Sequence, residues 1–128
     1  MKKNILLFIA IPLFSFATDF FQICNDINSA LKTGNSKSIA GFISSSIELN
    51  LPSNDGLFSK PQAEAIIKDF FSKNTPKSYT VKHEGNSKDG SKFVIGALET
   101  STGSYRTYYF VKTAGGATNL KELRIEKE

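Results

Sequence analysis

The sequence predicts an α+β domain, with helices at the N-terminal side packed on an antiparallel sheet in the order α-α-β-α-β-β-β-β. Three observations carry this. Apolar residues recur at helical spacing through most of the first half, ending in the stripe Ala63, Ile66, Ile67, Phe70 and Phe71. From Ser78 onward the apolar period is two. Asp89-Gly90, Thr102-Gly103 and Gly115-Gly116 mark short turns, and strands joined by short turns are antiparallel neighbours.

Asp19 can cap a first helix, and Gln22 three residues on completes a capping-box pattern. Phe20, Cys24, Ile27 and Leu31 fall on one face of it, and Gly34-Asn35 stops it. Ser36 can cap a short second helix carrying Ile39, Ala40, Phe42 and Ile43. Ser46 to Leu51 alternates as a half-buried strand, and Pro52 to Gly56 is a loop by composition. Ser59 caps the third helix, with Pro61 in its first turn, where a missing N–H costs nothing. Four strands follow: Ser78 to Glu84, Lys92 to Thr100, Tyr105 to Lys112 and Leu120 to Lys127. The middle two are apolar on both faces. Phe93, Ile95 and Ala97 oppose Val94 and Leu98, while Tyr105, Tyr109 and Val111 oppose Tyr108 and Phe110. One face should meet the helices. A second subunit is the economical cover for the other.

Residues 1–17 read as a secretory signal peptide. Lys2 and Lys3 start it, Ile5 to Phe16 is uncharged and mostly apolar, and Ser15 and Ala17 are small where a signal peptidase reads. The cut is therefore expected between Ala17 and Thr18, and cleavage is expected over anchoring because the apolar run falls short of the about 20 residues a spanning helix needs. The folded unit is then 18–128, one domain, exported to the periplasm or the extracellular space, with no stable membrane span after cleavage. Cys24 does not mark a lipoprotein, since Phe21-Gln22-Ile23 lacks the small residue lipidation needs.

Removing 17 of the 128 residues leaves 111, enough for one core. Lys2 and Lys3 leave with the signal, so 14 of 16 basic side chains remain against 12 acidic ones, net +2. These charges are dispersed, which argues against a nucleic-acid partner. One cysteine excludes an intrachain disulfide, and one histidine with one cysteine argues against a metal site. No cofactor is expected. Gly85 to Lys92 nearly matches a phosphate-binding loop, but its last Ser and Lys are reversed and a strand follows, so it reads as a hairpin turn.

Several segments carry a family resemblance: Ser59-Lys60-Pro61-Gln62-Ala63-Glu64, Phe70-Phe71-Ser72-Lys73-Asn74, His83-Glu84-Gly85, Lys88-Asp89-Gly90-Ser91-Lys92, Gly103-Ser104-Tyr105-Arg106 and Leu123-Arg124-Ile125-Glu126. On these the chain resembles domain-of-unknown-function family 4783, small exported bacterial proteins. The element order is similar to that of the nuclear-transport-factor-two-like (cystatin-like) superfamily. The resemblance implies a cone, in which a curved sheet wraps on helices, with a pocket between them and a sheet back that often dimerises. It implies no catalytic residue.

The first functional reading is a non-enzymatic exported binding module, holding a small apolar molecule or a partner segment in the cone. Tyr79, His83, Glu99, Tyr105, Arg106 and Tyr108 are its candidate contacts, and a homodimer through the open sheet face or an envelope protein its expected partner. His83 shares a face with Tyr79 and Val81, the face expected to turn inward, and its imidazole both donates and accepts. Glu99 shares a face with Phe93, Ile95 and Ala97. Arg106 and Arg124 alternate away from apolar neighbours, where cross-strand ion pairs with Glu122 or Glu126 are expected, with anion capture by both guanidinium groups the alternative. The second reading is an enzyme of acid/base proton transfer, isomerase or dehydratase in type, with His83 or Glu99 as base. It requires those side chains to point into one cavity. The third is a structural interaction protein of the cell envelope.

Overall fold

The computed structural model describes residues 15–128, with side chains from Phe20 onward. The expected signal segment and its cut site at Ala17 and Thr18 lie outside the residues whose side chains are described. The elements are α1 (Ser15–Thr33), α2 (Ser36–Gly41), β1 (Ser46–Leu51), β2 (Asn54–Ser59), α3 (Lys60–Lys73), β3 (Pro76–Ser87), β4 (Ser91–Thr100), β5 (Gly103–Ala114) and β6 (Ala117–Lys127). The expected α+β order is present, with one strand added.

That strand is β2. Its composition reads as loop, yet it pairs antiparallel with β1, Leu49 opposite Gly56 and Ile47 opposite Phe58. Pairing and the packing of Phe58 against the core override weak local propensity. The six strands run β2-β1-β6-β5-β4-β3, antiparallel except for the parallel β1–β6 pair. Residues 85–92 form the β3–β4 hairpin end, with Gly90 at φ +82 in the turn, so the near-match to a phosphate loop is a turn.

The helix caps follow local chemistry. α1 begins at Ser15, so Asp19 lies inside it and is no cap. No glycine or proline separates Ser15 from Asp19, and nothing there stops the helix. Gln22 instead donates from Nε2 to Asp26 Oδ1 one turn on, at 3.0 Å. Gly34 ends α1 at φ +69. Asn35, one residue before the expected cap, accepts the Ser38 N–H at its Oδ1, 3.0 Å. Ser59 caps α3 as expected, in a reciprocal capping box with Gln62.

The core lies between the helices and one sheet face. α1 contributes Ile23, Cys24, Ile27 and Leu31, α3 contributes Ala63, Ile67, Phe70 and Phe71, and the sheet contributes Leu49, Val94, Leu98, Tyr109, Leu123 and Ile125. Burial raises the Cys24 thiol above its ordinary pKa, which leaves it a packing residue. Tyr109 is fully buried and reaches from β5 to α1, its hydroxyl donating to Asn28 Oδ1 at 2.8 Å and lying 3.3 Å from the Cys24 carbonyl oxygen. Tyr79 lies over Gly96, where a Cβ would overlap its hydroxyl. Gly96→Ala is therefore expected to cost about 1–3 kcal/mol, the range for overpacking a filled core. The urea midpoint reads it, and an unchanged midpoint would mean that Tyr79 is not held there.

Candidate functional site

Register decides where each candidate residue points, because directly paired residues share a sheet face. Tyr79 pairs with Leu98, and Leu98 with Tyr105, so all three face the helices. The Tyr79 hydroxyl accepts from Thr107 Oγ1 at 3.4 Å, and burial raises its pKa. Tyr105 is buried and donates to Asn74 Oδ1 at 3.1 Å, fastening the end of α3 to the sheet. His83, Glu99, Arg106 and Tyr108 project from the outer face. The six candidates are thus not one lining. Two face the helices and four belong to the opposite surface.

The position of His83 corrects the expectation from alternation. β3 carries a register shift between Val81 and His83, so Val81 stands opposite Gly96 but His83 stands opposite Ile95. One extra residue in a bulged strand reverses which face every later side chain takes. His83 and Glu99 are both exposed, and Glu99 accepts a 2.6 Å hydrogen bond from the Ser104 hydroxyl. Neither can act as base inside a cavity between sheet and helices, which removes the geometry that the proton-transfer reading requires.

On the outer face the side chains form a ladder across four strands. The His83 ring centroid lies 6.2 Å from that of Phe93. Phe93 stacks on Tyr108 at 6.1 Å and 18°. The Arg124 guanidinium sits 5.3 Å over the Tyr108 ring. Arg124 in turn pairs with Glu122 at 2.6 Å, along its own strand rather than across. Arg106 stands opposite Glu126 with no ion pair among the described residues. Gly85 makes room for the ladder, since a Cβ there would overlap the Phe93 ring. Partial burial raises the Tyr108 pKa, with Glu122 adding to the effect. Ile95, Ala97 and Phe110 are half-buried beside the ladder, giving an apolar centre ringed by His83, Glu99, Arg106 and Arg124. No helix among the described residues packs on this face.

The space between helices and sheet is occupied by Ile27, Leu31, Ile67, Leu98, Tyr109 and Leu123, all fully buried. The described clefts open at the surface. One of about 450 Å³ lies between α1 and β3, lined by Asn25, Asn28, Ser29, Lys32, Tyr79 and Val81. Among the described residues no three His, Cys, Asp or Glu side chains gather where they could hold a metal ion. No helix among them is long and apolar enough to cross a membrane.

Residues 24–126 match the model of a family described as a domain of unknown function, DUF4783. The chain belongs to the DUF4783 family. It is similar to a DUF4783 protein from Bacteroides uniformis ATCC 8492, 29% identical with TM-score 0.76, over 81% of this chain and 95% of that one. It is also similar to one from Bacteroides ovatus ATCC 8483, 28% identical with TM-score 0.75, over 80% and 93%. An NTF2-like protein from Cytophaga hutchinsonii ATCC 33406 is 11% identical with TM-score 0.61, over 88% of this chain and 98% of that one, a likeness of fold alone. No curated protein matches the chain.

The DUF4783 match spans both surfaces described above, the outer ladder and the α1–β3 cleft. Sequence reasoning missed Phe93 and Arg124 as ladder members and missed the α1 side of the cleft. Gly85 was the available signal for the first, because a glycine inside a strand marks a bulge or a close approach. Asn25, Asn28, Ser29 and Lys32 carried no signal beyond being polar on a helix.

Proposed function

We propose that this domain is a non-catalytic binding module of the cell envelope and that its working surface is the outer sheet face, occupied by a second copy of the chain. The apolar centre formed by Phe93, Ile95, Ala97, Tyr108 and Phe110 carries the reading. It has the anatomy of an interface: aromatic and aliphatic side chains at the middle, arginine and carboxylate at the rim. A twofold axis lying in that face sets each ladder against its own copy, a self-complementary contact that closes at two subunits. The reading as signal peptide of residues 1–17 supports export to the periplasm or beyond. The filled interior favours this surface over a small apolar ligand held in the cone.

The test is a pair of amide-resolved NMR spectra at low and high protein concentration. Concentration-dependent shifts should concentrate at His83, Phe93, Ile95, Tyr108 and Phe110 and spare α1 and α3. Shifts confined to the helices, or none at any concentration, would count against it.

A further inference from the structure

We propose that the cleft between α1 and β3 binds a small amphiphilic carboxylate, an acid with an apolar body and one anionic head. Its helix wall is Asn25, Asn28, Ser29 and Lys32, at i, i+3, i+4 and i+7 along one face of α1. That stripe is about 10 Å long at 1.5 Å per residue. The strand wall is Tyr79 and Val81, successive helix-facing positions of β3. The void is about 450 Å³, within the range of small-molecule sites.

The chemistry of the walls selects the ligand. The Asn28 carbonyl oxygen is taken by the Tyr109 hydroxyl, which leaves its NH2 group as the unused end. The side chains of Asn25 and Ser29 enter no described hydrogen bond, and Lys32 enters no described ion pair. The Tyr79 hydroxyl is turned over Gly96 toward Thr107, so Tyr79 gives the cleft its ring rather than a donor. Donors therefore gather on the walls, one of them cationic, while the lining holds no carboxylate. A carboxylate supplies two acceptor oxygens to such a set and matches the charge of Lys32. The ring of Tyr79, fixed over Gly96, and the exposed Val81 side chain offer the apolar wall for the rest of the molecule. This site lies on the helix side of the sheet, so it does not depend on self-association through the outer face.

Benzoate is the probe, with benzyl alcohol as its neutral counterpart and benzylamine as its cationic one, titrated into the purified protein and followed by NMR. Benzoate should move the side-chain amides of Asn25 and Asn28 and the methyls of Val81, saturating in the low millimolar range. Lys32→Gln, an exposed change, should weaken that binding about tenfold or more, as expected for loss of a charge-assisted hydrogen bond. Benzyl alcohol and benzylamine should not saturate. Benzoate leaving these signals in place, binding unchanged in Lys32→Gln, or benzylamine binding as well as benzoate would each overturn the proposal.

Discussion

Tyr109→Ala will lower the unfolding free energy by about 3–5 kcal/mol, the range for truncating a buried aromatic ring. Domains of this size hold only about 5–15 kcal/mol in total, so the variant will be near the edge of folding. Tyr109 sits at the middle of β5, opposite Val94 and Leu123, with no exposed surface, and it bonds to α1 through Asn28. Truncation therefore opens a cavity and also releases the helix from the sheet. Tyr109→Phe keeps the ring and removes only the hydroxyl, so it should cost about 1–2 kcal/mol. Urea unfolding of the three proteins gives the comparison. An Ala variant within about 1 kcal/mol of the parent would show that α1 does not depend on this residue.

The same residue sets an alkaline limit. Burial pushes the Tyr109 hydroxyl far above the ordinary tyrosine pKa, and burial raises Tyr79 as well. The folded state then keeps protons that the unfolded chain releases near pH 10. Their contribution is complete below about pH 10 and is lost as pH rises beyond it. Stability should therefore fall above about pH 10, and less steeply in Tyr109→Phe.

Ile95→Glu is expected to abolish the proposed self-association while leaving the fold in place. Ile95 stands at the middle of the outer apolar centre, opposite His83 on β3 and Tyr108 on β5. In a lone subunit a glutamate there meets water. In the proposed contact it would be a desolvated charge, at a cost of about 2–5 kcal/mol. The dissociation constant should rise about 30-fold or more, since each 1.4 kcal/mol is a factor of ten. The proposed association would also stabilise the folded state by mass action, so the parent's melting temperature should climb with concentration and the variant's should not. A variant that stays dimeric would move the contact to another surface. One that loses its circular dichroism would mean that Ile95 belongs to the fold.

Much of this fold is legible in the residues themselves. The stripe from Ala63 to Phe71, its Ser59–Gln62 box and the glycine-marked turns each name an element, because local chemistry and final packing agree there. β2 is not legible. Asn54-Asp55-Gly56 has no strand propensity of its own, and only β1 beside it makes it a strand. The candidate site is half legible. Of the six polar and aromatic residues that stand out on β3, β4 and β5, four share the outer face, while Tyr79 and Tyr105 face the helices. The bulge after Val81 sends His83 there, and its cause is a backbone shift that strict alternation cannot register. The α1 side of the cleft depends on which strand lies across from the helix, a tertiary fact that a stripe of polar residues does not contain.

Sedimentation equilibrium on the purified, unsubstituted protein, from micromolar to near-millimolar concentration, tests the outer-face account most directly. A single monomer–dimer equilibrium moving toward twice the subunit mass is the predicted result. A monomer at every concentration would contradict it.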